Sequence, residues 1–191
     1  MPPEKERHTL YAAMSLRFIT PWLACEDPHV STCALCGRSL DAHDRHVRFR
    51  LPDPVLRLPD QDRSEGTWKS EKDPNAAVMM QVPNVGAFLR ALLPVQLTGG
   101  YTVTFGVWIG VHSDDLKRAF ETWWLPEYTR LTMEGRLANA LPAWDVLGVP
   151  VEIAVTDPQA TPYCVSSSDQ QLRSVLADQW EHELILSGLP A

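Results

Sequence analysis

Sixteen prolines are distributed along this chain of 191 residues, from Pro2 to Pro190. Each one fixes φ and removes a backbone donor, so none can sit comfortably inside a long helix or a central ladder of strands. Proline at this density predicts many turns joining short elements and argues against a long-helix bundle. Apolar residues are nonetheless 45% of the chain and charged residues 21%, the balance of a protein that buries an ordinary core. Seven tryptophans add large contact areas that can hold such a core together. The length suits one domain, since single domains mostly run to roughly 100–200 residues. We read residues 1–17, with Glu4-Lys5-Glu6-Arg7, as a poorly ordered polar tail and 18–191 as a single α+β domain.

Local patterns then place the elements. His46 to Leu51 alternates Val47, Phe49 and Leu51 with Arg48 and Arg50, the period-two sign of a half-buried strand. Pro52, Pro54 and Pro59 end it, and Asp60 to Asn75 reads as a long polar connection. Ala76–Val82 is a compact apolar run and reads as a buried strand. Phe88–Leu97 leaves helix and strand open until Pro94 is weighed against a continuous helix. With the turn Thr98-Gly99-Gly100 and the β-branched, aromatic stretch Tyr101–His112, it reads as a hairpin. Ser113 is a suitable N-cap for a helix carrying Leu116, Ala119, Phe120, Trp123 and Trp124 at helical spacing and ending at Pro126. Strands follow near 148–156 and 163–166. A last helix runs from Ser168 to about Leu186, with Leu172, Val175, Leu176, Trp180 and Leu184 on one face. The expected architecture is a mainly antiparallel sheet with two packed helices and an N-terminal loop resembling a zinc knuckle, over 33–46.

Charge and hydropathy narrow the function classes. The net charge of −7 is the wrong sign for a protein whose main task is gripping phosphate backbones, so nucleic acid is not the expected partner. Arg38, Arg45, Arg48, Arg50 and Arg57 reverse the balance locally, and the plain reading is a solvated face of mixed sign. No apolar run approaches the roughly 18 residues that span a bilayer. Leu10–Cys25 fails as an export signal because Arg17 and Pro21 interrupt it, so a cytoplasmic protein is expected. Met14 is an alternative start.

The sharpest chemistry lies in Cys33-Ala34-Leu35-Cys36-Gly37. Two cysteines three apart can bring both sulfurs to one point, and Gly37 can take the positive φ that the reversing turn requires. Two thiolates at about 2.3 Å from Zn²⁺ form half of a tetrahedral site. His43 and His46 stand where they could complete it, and Cys25 is an alternative third or fourth ligand. The metal set expected is therefore Cys33, Cys36, His43 and His46, holding structural zinc. A redox dithiol and inert buried thiols are the competing readings. Cys164, in an apolar strand, reads as simply buried.

Other positions carry weaker signals. Asp178 and His182 lie four apart on the last helix, the spacing of any solvated helix face. His112 beside Asp114 and Asp115 sits where a helix start favours acids anyway. Ser166-Ser167-Ser168 reads as a strand end leading into a cap. We find no Gly-rich phosphate loop, nucleophile elbow or His-Glu-x-x-His.

Several of these stretches together carry a resemblance. They are Cys33-x-x-Cys36-Gly37, Leu58-Pro59, Phe105-Gly106-Val107-Trp108, Gly135-Arg136-Leu137 with Ala140-Leu141-Pro142, and Pro162-Tyr163. Over about residues 33–190 the chain resembles the bacterial domain-of-unknown-function family numbered twenty-one ninety-nine. The resemblance implies a bacterial setting and no particular reaction. The expected function is a non-enzymatic binding or adaptor module with a structural zinc site and a protein partner. The alternative is an enzyme that uses zinc or a thiol from the same cluster.

Overall fold

The structure, a computed structural model, describes residues 32–189. They fall in one compact unit, Ser31–Ala191. The expected tail 1–17, the segment 10–25 and the alternative ligand Cys25 lie outside the described residues.

In chain order the elements are strand β1 (His46–Arg48), helices α1 (Asp53–Leu56) and α2 (Asp60–Ser64), and strands β2 (Trp68–Lys69), β3 (Met79–Val82), β4 (Gly86–Leu97) and β5 (Thr102–Val111). Helix α3 (Ser113–Thr122), strands β6 (Thr132–Leu137), β7 (Pro150–Ala154) and β8 (Tyr163–Ser166), helix α4 (Gln170–Ala177), strand β9 (Gln179–Trp180) and helix α5 (His182–Leu186) follow.

The expected hairpin is present and is the spine of the fold. β4 and β5 pair antiparallel from Ala87 opposite Val111 to Gln96 opposite Thr102. β5, β6, β7 and β8 continue as neighbours, each pair antiparallel. β8 then returns to β4, in parallel, at Tyr163 opposite Leu92, where the Leu92 N–H donates to Pro162 O at 2.8 Å. An odd number of strands in a meander must close with one parallel pair, and this is that pair. Strands β4–β8 thus form a closed five-stranded barrel. β3 and β2 extend the sheet beyond β4, and β1 pairs in parallel with β5.

The expectation of a mainly antiparallel sheet with two packed helices is therefore wrong. Among the described residues strands outweigh helices, the sheet closes on itself, and the helices are few and small. Two local features account for the difference. β6 lacks a run of β-formers, since Glu134, Gly135 and Arg136 interrupt Met133 and Leu137, so its pattern does not read as a strand. The long last helix is in fact broken: Asp178 is extended (φ −92°, ψ 162°), and Gln179 and Trp180 pair in parallel with Gln96 and Leu97. The unused edge at the end of β4 recruits those residues, and pairing there overrides their helical periodicity. The polar connection 60–75 likewise contains α2 and β2.

Alternation along the two central strands separates two buried layers. Leu89, Ala91, Leu93, Val95 and Leu97 of β4, with Val103, Phe105, Val107 and Ile109 of β5, point into the barrel. Phe88 and Trp108 face the other way, into a smaller cluster with Val55, Met80, Val82 and Ala138. Pro94 is tolerated within β4 because its missing donor would face the β8 side, between the contact at Leu92 and the β9 contact at Gln96. α3 begins one residue off the expected cap: His112 is the N-cap, and its Nδ1 accepts from the Asp114 N–H. No helix of the described residues is long and apolar enough to cross a membrane.

Candidate metal centre

The loop before β1 is built around its first cysteine. Cys33 N–H donates to Arg38 O and Gly37 N–H donates to Cys33 O, both at 2.8 Å. Gly37 takes φ +71°, a left-handed conformation that a Cβ would penalise. Thr32 and Ser39 bridge across the base of the turn. The short 3₁₀ turn Leu40–Ala42 then swings His43 back over the cysteines. At the other end of the described chain, the break at Asp178 starts α5 afresh at His182. The ring therefore turns inward and is only 2% exposed.

The result is a single group: Cys33, Cys36, His43 and His182, whose ligand atoms all lie within 4.8 Å of one another and could hold a metal ion. Cys33 Sγ is 3.6 Å from His182 Nδ1, and Cys36 Sγ is 3.4 Å from His43 Nε2. In a tetrahedral zinc site with bonds of about 2.3 Å to sulfur and about 2.05 Å to nitrogen, sulfur and nitrogen stand about 3.6 Å apart. The thiol–imidazole spacing fits that geometry.

The two imidazoles give the sharper observation. His43 Nδ1 lies 3.1 Å from Ser39 O, and His182 Nε2 lies 2.6 Å from Thr98 O. A carbonyl oxygen only accepts, so each ring carries a proton on its carbonyl-facing nitrogen. In neutral rings the other two nitrogens, His43 Nε2 and His182 Nδ1, then present lone pairs to each other at 2.9 Å. Two lone pairs at that distance repel unless a proton bridges them or a metal ion lies beside both. A metal would satisfy both, and the carbonyl bonds supply the outer support that fixes ring orientation in metal sites.

The Cys33 sulfur is prepared in the same sense. Burial pushes the Cys33 thiol up, but hydrogen bonds from the Leu35 and Cys36 backbone and the Cys36 side chain outweigh it and leave the pKa below the ordinary thiol value. A thiolate is the form that ligates metal. Tyr101 packs on His43 and edge-on to His182, with ring centroids 4.6 and 5.6 Å away. Arg38 and Glu183 add a two-armed ion pair (Nη2–Oε1 2.9 Å, Nε–Oε2 3.2 Å) between the loop and α5, weak because it is exposed.

Of the four residues expected from sequence, Cys33, Cys36 and His43 come together and His46 stands apart. It is exposed on β1, with its ring beside Gly106. His182 takes the fourth place, although its spacing from Asp178 had suggested a solvated helix face. No local signal distinguishes it, because its direction depends on the break before it. Elsewhere the plain readings describe what is found. His112 is an exposed helix cap, Ser166 Oγ donates to Glu152 at 2.6 Å, and Cys164 lies in the barrel with its thiol pushed up to about 12 by burial.

A small strand barrel with a buried Cys/His group between an N-terminal loop and a C-terminal helix is the class this architecture defines. Residues 32–179 match the family described as an uncharacterized protein conserved in bacteria (DUF2199), and the chain belongs to that family. The match includes Cys33, Cys36 and His43 and stops short of His182. No curated protein and no solved structure matches the chain.

Proposed function

We propose that Cys33, Cys36, His43 and His182 hold a structural zinc ion, which clasps the knuckle loop to α5 in a non-enzymatic binding module. The observation that carries this reading is the pair of imidazole nitrogens 2.9 Å apart with their outer N–H groups already committed to carbonyls. Two sulfur and two nitrogen donors suit zinc better than the oxygen-seeking cations, and the tetrahedron they would form is complete. A closed set leaves no open position for water, which favours a structural role over hydrolytic chemistry. Free thiolate ligands also suit a reducing, cytoplasmic setting.

Zinc would act through folding. Its ligands come from residues 33–43 and from 182, so binding favours only the state in which those segments meet. Metal analysis of the purified protein is expected to give about one zinc per chain, lost in Cys33→Ser and in His182→Ala and retained in His46→Ala. Metal-free wild type prepared under reducing conditions, with a melting temperature unmoved by added zinc, would overturn the reading.

A further inference from the structure

β1 lies at one end of the strand order, paired on one side only. Its pairing with β5 uses Arg45 O, which accepts from Thr104 N–H at 2.8 Å, and Phe49 N–H, which donates to Gly106 O at 3.1 Å. Backbone groups of alternate residues point to opposite edges of a strand, so those of His46 and Arg48 face away from β5. Neither has a backbone partner among the described residues. An open row of this kind is a template for another strand.

The side chains along that edge are selective. His46, Arg48 and Arg50 are exposed, while Val47 and Phe49 are half-buried against the core. Gly106 makes room on that face for two of these side chains: a Cβ there would come 3.0 Å from His46 Nε2 and 3.3 Å from Arg48 Cγ. No carboxylate pairs with Arg48 or Arg50 among the described residues, although the chain as a whole carries net charge −7. Arg90 adds a further buried cation on the same face of the sheet, with its guanidinium carbon 4.3 Å from the centre of the Trp108 ring. Positive charge on an edge also repels a second copy of the same edge, so the surface discriminates against self-pairing.

We propose that the outer edge of β1 takes up an extended peptide segment that alternates acidic and apolar residues, adding it to the sheet as a further strand. The acidic residues of such a segment lie beside His46, Arg48 and Arg50. The intervening apolar ones lie beside Val47 and Phe49, and the peptide backbone bonds to the free groups of His46 and Arg48. Duplex nucleic acid would meet the same charges and leave the backbone row unused. The inference names the kind of partner for the binding module proposed above. It rests on that reading only for the module's role, since the edge does not include the metal ligands.

The test uses the full-length protein, with zinc content measured for each variant, and a short synthetic peptide alternating Glu and Val. Binding followed by fluorescence anisotropy is expected to weaken as salt rises and to fall about tenfold or more in Arg48→Glu. Methylation of the peptide amides that face β1 should abolish it. A peptide alternating Lys and Val should bind Arg48→Glu better than wild type. Equal affinity of wild type and Arg48→Glu, equal binding of the N-methylated peptide, or retention of duplex DNA with no retention of the peptide would each overturn the proposal. Wild type that binds the peptide but takes up no zinc would count against the metal reading alone.

Discussion

Two buried polar centres in this protein are built on opposite terms. Arg90, beneath Trp108, is fully enclosed, and its donors reach Ala77 O, Phe49 O, Gly106 O and Pro74 O at 2.8–3.2 Å. Burial, with Arg48 nearby, lowers its pKa to about 9, which still leaves it charged at neutral pH. The indole face and four carbonyls meet that charge from within the fold. The Cys/His centre has the reverse arrangement. Its outer N–H groups are satisfied by carbonyls, while four potential ligand atoms converge within 4.8 Å of one another. A buried group answered from within is complete as architecture. A set of electron-rich atoms directed at one point is a group that could hold a metal ion. That difference separates a structural polar core from a candidate binding site more reliably than burial or residue type.

The comparison can be broken most sharply at the metal centre. Removing zinc by chelation, or one ligand by His182→Ala, is expected to destabilise the protein by several kcal/mol, about 10 °C in melting temperature. Calorimetry with and without added zinc measures it. Wild type should respond to zinc, and the variant should not.

Arg90→Met comes next. It takes the guanidinium away from four carbonyls, of which Phe49 O keeps the Trp108 indole N–H and Gly106 O keeps the Phe49 N–H, at a cost of about 3 kcal/mol, while zinc content stays unchanged. Arg90→Lys should recover part of the loss, because an ammonium keeps the charge but cannot reach all four carbonyls. If either Arg90 variant lost its zinc, the two centres would not be independent.

Asn139→Ala tests the frame around Trp108. Asn139 Oδ1 accepts from the Trp108 N–H, and its Nδ2 donates to Leu51 O and to Asp53 Oδ1. Denaturant titration should show a loss of about 2 kcal/mol.

The smallest effect is expected at His46→Asn. Burial first, then Arg48 and Arg90, holds the His46 pKa below its ordinary value of 6.5. The unfolded chain therefore binds this proton more readily than the native one. Its contribution is fully present above pH 6.5 and is lost as pH falls below it. The variant should flatten the acid side of the stability profile slightly and keep its zinc.

How much of this was legible in the chain follows from how local each determinant is. The Cys-x-x-Cys-Gly turn, the hairpin around Thr98–Gly100 and the helix after His112 each draw on a few adjacent residues, and each was placed from sequence. The barrel was not, because its closure rests on the parallel pairing of β4 with β8 at Leu92 and Tyr163, and strand alternation looks the same in an open sheet and a closed one. β6 escaped notice for want of β-formers. The nearby His46 was preferred to His182 because spacing alone weighs only residues close in sequence.

By itself, then, the sequence determined the knuckle with three of its four converging side chains, the strands of the central hairpin, and a core large enough to bury them. Only the tertiary structure decided that the sheet closes and that the last helix breaks. Both depend on the edge of β4 that β5 leaves free: β8 pairs near its middle and seals the barrel, and β9 pairs at its end. That second pairing turns His182 toward Cys33. Periodicity within a segment reports which side of that segment is buried, and it carries no information about a partner strand some eighty residues away.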